Sequence, residues 1–205
     1  MNWKLNKIQY PIYNLGVGKR IGIWVQGCNL GCKGCVNQVL WNKEGGSSIT
    51  VPEVFNCLVP LFDDYDGITI SGGEPFQQYP QMIAFLHLIK TKTKLSIHCF
   101  TGYYLEELYD LFPDRLFLKY IDTLIDGRYV ENEHDNNHTR GSLNQSVYTI
   151  KDGIPLINDS YKASKKWSLS IDEHNSIYMA GIPARNELQN ISNELNKSGF
   201  QIKFR

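Results

Sequence analysis

The chain has 205 residues, of which 42% are hydrophobic, so it is long enough for one domain with a buried core and short for two. Its 21 Lys and Arg balance its 21 Asp and Glu, so no net charge attracts it to nucleic acid or to an acidic membrane surface. No stretch approaches the ~18 apolar residues of a membrane span, and the first residues lack the apolar core of a signal peptide. An odd number of cysteines, five, argues against a disulfide framework. We therefore expect a cytoplasmic protein in a reducing compartment.

A cysteine-rich loop follows the first predicted buried strand, residues 20–26. Cys28, Cys32 and Cys35 are separated by three and then two residues, which brings three thiolates together on one short loop. No second Cys or His pair at zinc-ligand spacing follows in the sequence to complete a tetrahedral site. A cuboidal iron–sulfur cluster held by three cysteines leaves one iron open to a ligand. The loop therefore predicts such a cluster, with a chance group of cysteines or an incomplete zinc site as the alternative.

Helices and strands alternate after this loop. Thr50 and Glu53 have the spacing of a capping box, and they begin a helix that carries Cys57, which we interpret as a core or boundary residue. Further helices are predicted at 80–90 and 104–112, and strands at 68–70, 95–100 and 121–127. This alternation implies right-handed crossovers and a parallel sheet. In such a sheet, ligands gather at the carboxyl ends of the strands.

Polar and glycine residues stand at these predicted strand ends. The strand at 68–70 runs into Gly72, Gly73 and Glu74, and the next two strands end at Thr101 and Asp126. Two glycines let backbone carbonyls approach an ammonium group closely, and Glu74 adds a negative charge. A tight turn at the two glycines is the alternative interpretation. The pattern predicts that all these groups meet the cysteine loop at one edge of the sheet.

The second half of the chain is less regular. Residues 128–139 are polar without apolar periodicity, so we expect a solvated, mobile loop there and not a metal site, although His134 and His138 are four residues apart. Arg140 and Asn144 follow in a polar run. Further on, the sequence predicts a β-hairpin, a helix and a last strand, at 167–171 with 176–179, 183–197 and 200–204. We find no linker, so we expect a single domain with a core at about 15–150 and a C-terminal extension at about 151–205.

Several of these motifs resemble those of known proteins. The three-cysteine spacing and the Gly-Gly-Glu-Pro run resemble the radical SAM superfamily, although Gly34 stands where the general pattern has an aromatic residue. Three further runs are similar to the activating proteins of anaerobic ribonucleotide reductases, a branch that generates glycyl radicals. They are Cys-Lys-Gly-Cys followed by Asn at 32–37, Thr-Gly-Tyr at 101–103 and Arg-Gly-Ser-Leu-Asn-Gln at 140–145.

The resemblance implies an α/β fold with an incomplete parallel β/α barrel and a radical SAM oxidoreductase activity. A 4Fe–4S cluster would bind Cys28, Cys32 and Cys35, with S-adenosylmethionine on the open iron. The reduced cluster would cleave S-adenosylmethionine to a 5′-deoxyadenosyl radical, which removes hydrogen from a glycine of a partner enzyme. The residues expected to bind the cofactor are Gly72, Gly73, Glu74, Thr101, Asp126, Arg140 and Asn144. No residue of the chain need act as general acid or base, and a low-potential donor such as flavodoxin would supply the electron.

Two alternatives to this function remain open from the sequence. One keeps the cofactor chemistry and replaces the partner enzyme by a small molecule or a peptide, over which the loop at 128–139 would close. The other is a non-catalytic iron–sulfur carrier or a zinc-binding module, against which the Gly-Gly-Glu-Pro run at a strand end counts. The identity of the hydrogen donor, the reductant, the oligomeric state and the role of the extension are not specified by the sequence.

Overall fold

The fold is built on a mixed sheet of eight strands in the described part of the chain. The structure is a computed structural model, and it describes residues 1–135, 139–163, 167–171, 177–182, 184 and 186–199. The strands are β1 (Asn2–Ile12), β2 (Arg20–Val25), β3 (Ser47–Thr50), β4 (Gly67–Gly72), β5 (Ser96–Phe100), β6 (Thr123–Asp126), β7 (Ser146–Lys151) and β8 (Ile154–Ile157). Their order across the sheet is β3-β1-β2-β4-β5-β6-β7-β8.

The four central strands β2, β4, β5 and β6 are parallel, as the alternation of strands and helices predicts. In this register Val25, the last residue of β2, pairs with Gly72 of β4, and Phe100 of β5 pairs with Ile125 of β6. The carboxyl ends of the strands therefore meet at one edge. This parallel core confirms the predicted α/β class and is consistent with an incomplete barrel.

Antiparallel strands flank the parallel core on both sides. β1 and β3 extend it beyond β2, and β7 and β8 extend it beyond β6. The sequence analysis did not predict β3, β7 or β8. Ser47 and Ser48 of β3 are exposed, so this strand has no apolar alternation, and Ile154 and Ile157 of β8 are exposed although they are apolar. Both β3 and β8 are edge strands, whose conformation depends on a neighbouring strand more than on their own sequence.

Four helices pack on the sheet, α1 (Val51–Leu58), α2 (Tyr79–Lys92), α3 (Leu105–Leu111) and α4 (Phe117–Tyr120), and α5 (Glu187–Lys197) lies in the C-terminal region. The capping box before α1 is confirmed, since Thr50 Oγ1 accepts from Glu53 N at 3.4 Å and Glu53 Oε2 accepts from Thr50 N at 2.9 Å. Cys57 is exposed, so its interpretation as a core or boundary residue is wrong. At 100° per residue, Cys57 lies about 90° around the helix from the stripe that buries Val54 and Leu58.

The core lies on both faces of the central strands. The larger cluster packs the outer face against the helices, and Ile21 and Ile23 of β2 are fully buried in it with Phe85 of α2. Each such side chain contributes about 1.5–3 kcal/mol by burial. A smaller cluster lies on the inner face, where Trp24 of β2 packs with Leu15. The alternating side chains of β2 therefore belong to two separate apolar clusters, one on each face of the sheet.

The C-terminal region contains a second, two-stranded sheet. β9 (Trp167–Ile171) pairs antiparallel with β10 (Ile177–Gly181), which confirms the predicted hairpin, and α5 confirms the predicted helix. The connection at 172–176 and the predicted strand at 200–204 lie outside the described residues. Within the described ranges, no helix has both the length and the apolar character that crossing a membrane requires.

The polar segment expected to be a solvated loop has some local order where the structure describes it. A short 3-10 helix spans Glu131–Glu133, and His134 forms an isolated antiparallel bridge with Ser142. Asp135 is buried, with its carboxylate accepting from Arg140 Nε at 2.9 Å. His138 lies outside the described residues.

Candidate metal centre and cofactor cavity

A cavity of about 410 Å³ lies at the carboxyl ends of the central strands. The loops that follow β2, β4 and β5 line it, and they place the three cysteines, residues 72–74 and Thr101 around one space. These residues are far apart in the sequence, and the parallel pairing of β2, β4 and β5 brings them together. The predicted convergence of strand ends is therefore observed for this group.

The cysteine loop, residues 27–35, is folded by glycines and by backbone hydrogen bonds. Gly27, Gly31 and Gly34 have φ of 97°, 65° and 76°, a region that other residues rarely adopt. Gly27 N donates to Leu40 O at 2.8 Å, which fixes the start of the loop. Cys35 N donates to Cys32 O at 3.1 Å, so these two cysteines share one tight turn. Folded in this way, the loop places all three cysteines in the lining of the same cavity.

The three thiols are free and partly exposed, and their chemistry suits a soft metal or a cluster. Burial raises the pKa of Cys28, and the nearby Cys32 and Cys35 raise it further, because thiolates so close together repel one another. Bound iron would stabilise all three thiolates. Among the residues that the structure describes, no three His, Cys, Asp or Glu side chains are gathered as around a single ion. A cuboidal cluster bonds each cysteine through a different iron, so its ligands need not converge on one point.

Gly72 and Gly73 join the end of β4 to the cysteine loop. Gly73 N donates to Val25 O and Glu74 N donates to Gly27 O, each at 2.9 Å. A Cβ atom on Gly73 would collide with the backbone of Gly27, and one on Gly72, where φ is 119°, would collide with that of Val25. Packing of the two backbones alone thus requires both glycines. They also leave the backbone of this segment exposed to the cavity that they line.

Glu74 is a buried carboxylate, 1% exposed, that lines the cavity. Its Oε1 accepts from Phe76 N at 2.9 Å and from the Thr101 hydroxyl at 2.8 Å, while Oε2 accepts from Gly102 N at 2.7 Å. Burial raises the pKa of Glu74 to about 7, and these hydrogen bonds with the charge of Arg128 keep it from rising further. The carboxylate therefore links the ends of β4 and β5 and brings a titratable charge to the cavity.

Comparison with known proteins identifies the family. Residues 14–148 match the family described as a 4Fe-4S single cluster domain. The anaerobic ribonucleoside-triphosphate reductase-activating protein of Haemophilus influenzae is 32% identical over 157 residues, which cover 72% of this chain and 99% of that protein. The protein of the same name from Enterobacteria phage T4 is 33% identical over 145 residues, covering 68% of this chain and 89% of that one. The chain belongs to this reductase-activating family.

A shorter match extends to a second kind of activating enzyme. The pyruvate formate-lyase-activating enzyme of Clostridium pasteurianum is 39% identical over 79 residues, which cover 37% of this chain and 33% of that enzyme. Membership of the reductase-activating family implies a 4Fe–4S cluster and S-adenosylmethionine. The donor set fits the cluster, because three free thiols line one cavity with glycine backbone and a carboxylate beside them. The predicted family and cofactors are therefore confirmed.

The family motif at 140–145 lies beside the cavity and holds the loops that form it. Arg140 donates to the Asp135 carboxylate at 2.9 Å and to Gln145 O at 2.6 Å. Asn144 Nδ2 donates to Arg128 O at 2.9 Å and to the Tyr104 hydroxyl at 3.2 Å. Gln145, which does line the cavity, ties Gly127 to this run through a 2.7 Å hydrogen bond.

Asp126 is likewise engaged with the backbone. Its two oxygens accept from Leu105 N at 2.8 Å and from Ser146 N at 3.1 Å, so it joins the start of α3 to β7. Among the described residues, Asp126, Arg140 and Asn144 are not part of the cavity lining. Their direct contact with S-adenosylmethionine stays a prediction from the family resemblance.

The C-terminal hairpin and the residue after it contribute to the cavity, which the sequence analysis did not predict. Met179, Ala180 and Ile182 line the same cavity as the cysteines. The alternating pattern of β9 and β10 predicts the hairpin, but no local signal shows where it docks. The buried Asn14, to which the hairpin is bonded, lies in a segment without a clear pattern.

Proposed function

We propose that the chain is a radical SAM enzyme that generates a glycyl radical on an anaerobic ribonucleotide reductase. The observation that carries this proposal is that three cysteines and residues 72–74 line one cavity, in a chain that matches a reductase-activating protein over 99% of that protein's length. Bound S-adenosylmethionine supplies a 5′-deoxyadenosyl radical when the cluster gives it one electron. The protein holds the reactants and excludes water from them.

Individual residues take separate roles in this proposal. Cys28, Cys32 and Cys35 bind the cluster, since they supply the thiols of the cavity. Gly72 and Gly73 present backbone carbonyls to the amino group of S-adenosylmethionine, and the buried Glu74 adds negative charge nearby. Thr101 acts through its hydrogen bond to Glu74.

For the remaining residues the contacts support a positioning role. Asp126, Arg140 and Asn144 bond to backbone groups and side chains of the loops around the cavity. We assign them to holding these loops in place. No general acid or base is needed, because hydrogen-atom transfer moves no separate proton.

The partner and the setting follow from the same chemistry. The partner is a glycyl-radical enzyme, and a low-potential protein such as flavodoxin supplies the electron. All five cysteines are free, which suits a reducing, cytoplasmic compartment. We assign the chain to a single domain, in which β10 contributes to the cavity of the core.

Substitution of one cysteine tests the proposal. After anaerobic reconstitution and reduction, wild-type protein with S-adenosylmethionine should release methionine and 5′-deoxyadenosine, measured by mass spectrometry. Cys32→Ala should lower this rate by about 100-fold or more, because the cluster loses one of three ligands. Cys57→Ala is the matched control, since Cys57 is exposed on α1, and it should keep the wild-type rate.

The alternatives give different results in this assay. A non-catalytic carrier or a zinc module releases no 5′-deoxyadenosine, and equal loss in both variants would show that the ligands are wrongly assigned. Adding the partner reductase should produce a glycyl doublet in electron paramagnetic resonance. Repeated turnover with a small molecule or peptide, and no doublet with the reductase, would assign the chain to a different substrate.

A further inference from the structure

The hairpin of β9 and β10 is an addition to the family domain. The family match ends at residue 148, and the Haemophilus influenzae relative is covered over 99% of its length by only 72% of this chain. Residues 179–182 nevertheless line the same cavity as the cysteine loop. The extension therefore supplies a side of the cavity that lies outside the matched region.

Two kinds of contact hold the hairpin against the core. Asn14, which is 1% exposed, donates through Nδ2 to Ser168 Oγ at 3.1 Å and also to Ala180 O. Ala180 is 2% exposed and belongs to the inner apolar cluster with Trp24, and Ile182 packs against the same cluster. Because these hydrogen bonds reach both strands of the hairpin, Asn14 fixes the position of the hairpin on the core.

The cavity still reaches solvent on another side. Val36 follows the last cysteine, lines the cavity and is 64% exposed. On the hairpin side, Met179, Ala180 and Ile182 contribute apolar side chains, and Asn186, which follows the hairpin, contributes a polar one. The side of the cysteine loop is therefore one route by which a donor can reach the cavity.

We propose that residues 179–182 form a specificity wall, which closes one side of the cavity to small diffusible hydrogen donors and leaves the side of the cysteine loop to the polypeptide segment of the partner. This inference rests on the proposed function. Asn14 is a positioning residue that holds the wall. An open side next to a carbon radical lets solvent-borne C–H donors quench it, so a wall that closes one side lowers this loss.

Hydrogen–deuterium exchange tests the anchoring without any cofactor. In Asn14→Ala, the amides of β10 should exchange about tenfold faster than in wild type, while those of β2 should not change, because only the hairpin loses its anchor. Lys197→Ala is the control in the same extension, since the Lys197–Glu194 ion pair is exposed, and it should match wild type. Unchanged exchange in Asn14→Ala would overturn the anchoring role.

The wall itself is tested with a small donor and no partner enzyme. Dithionite-reduced protein receives S-adenosylmethionine in perdeuterated glycerol. One electron breaks the C5′–S bond and releases methionine, and the C5′ carbon then takes a deuterium atom from a C–D bond. The glycerol radical left behind takes a second electron from dithionite and a proton. Deuterated 5′-deoxyadenosine, measured by mass spectrometry, should rise about fivefold in Asn14→Ala over wild type.

A second variant keeps the test independent of folding. Ile182→Ala leaves the Asn14 hydrogen bonds in place and removes part of the wall, and it carries the same expectation, while Lys197→Ala should match wild type. Equal deuterium in both wall variants and wild type overturns the wall while the proposed function stands. A wild-type protein that releases no 5′-deoxyadenosine overturns the proposed function and the wall with it.

Discussion

Two buried carboxylates at the ends of parallel strands differ in whether they line the cavity. Glu74 follows β4 and lines the cavity, whereas Asp126 ends β6 and does not line it among the described residues. Each is 1% exposed, and burial raises the pKa of both. Glu74 joins the two loops that face the cysteines, and Asp126 joins α3 to the antiparallel strand β7.

The difference shows that a residue at a strand end need not line the cavity to which the strand ends lead. Glu74 stands in a loop beyond the strand, where two glycines let the backbone pass close to the cysteine loop. Asp126 is still within β6, next to a strand that pairs antiparallel and offers the Ser146 N–H. Both carboxylate oxygens of Asp126 therefore already accept backbone hydrogen bonds, one of them from this neighbour.

The largest effect that we expect is the pH dependence that Glu74 gives to the free energy of unfolding. Its pKa is 4.5 in the unfolded chain and about 7 in the fold. Between these values the folded state binds more protons than the unfolded state, so the free energy of unfolding should fall as the pH rises. The stabilisation is complete below pH 4.5 and is lost by about pH 7, by about 3 kcal/mol in total.

Urea unfolding between pH 4.5 and 8 measures this loss. The charged and titratable groups facing Glu74 are Arg128, Cys28 and Cys99, and burial raises the pKa of both thiols, so they stay neutral in this range. Burial lowers the pKa of His98, which acts in the opposite direction near pH 6.5. The difference between wild type and Glu74→Gln isolates Glu74, and parallel pH profiles for the two proteins would contradict the assignment.

Next in size is the effect of Asp126→Asn. An amide can accept one of the two backbone hydrogen bonds but presents N–H to the other, so one buried N–H loses its partner. The free energy of unfolding should fall by about 1–3 kcal/mol, measured by urea titration. Affinity for S-adenosylmethionine, measured by equilibrium dialysis on folded protein, should stay within about twofold, because the residue acts through the fold.

A matched control and a contrary result define this prediction. Asp159→Asn makes the same chemical change on an exposed residue and should alter stability by less than about 0.5 kcal/mol. If Asp126→Asn kept its stability and lost affinity, Asp126 would contact the cofactor directly. The two carboxylates would then have the same role.

The sequence predicts those parts of the fold that depend on local pattern. The strand β2, the capping box before α1 and the helix α2 follow from periodicity and from the chemistry of a helix start. The cysteine loop and the glycines of residues 72–73 are also local, so the cavity could be located from them. Family resemblance supplied the cofactors, which no periodicity shows.

Features that depend on distant neighbours were not predictable. β3 and β8 are strands because a neighbour pairs with them, and Cys57 is exposed because α1 turns another face to the core. The hairpin docks on Asn14, which is separated from Ala180 by 166 positions. A single sequence carries no signal that joins two such positions.

The smallest effect is expected from Thr101, which connects Glu74 to the end of β5. Its hydroxyl donates to Glu74 Oε1 at 2.8 Å and accepts from Tyr103 N at 3.1 Å. Thr101→Val should lower the free energy of unfolding by about 1 kcal/mol, because both hydrogen bonds are lost at a buried position. The hydroxyl favours the ionised carboxylate, so its loss should also raise the pKa of Glu74 and move the fall in stability to higher pH.

Thr101→Ser distinguishes the hydroxyl from the methyl group at the same position. Serine keeps the donor to Glu74 and the acceptor for Tyr103, so the fall in stability should stay at the wild-type pH even where the lost methyl group lowers stability slightly. If serine and valine moved the fall equally, the methyl group would be the cause, and Thr101 would be a packing residue. A shift in valine alone would show that Thr101 tunes the carboxylate of the cavity, a role that has no counterpart at Asp126, where both acceptor bonds come from backbone N–H groups.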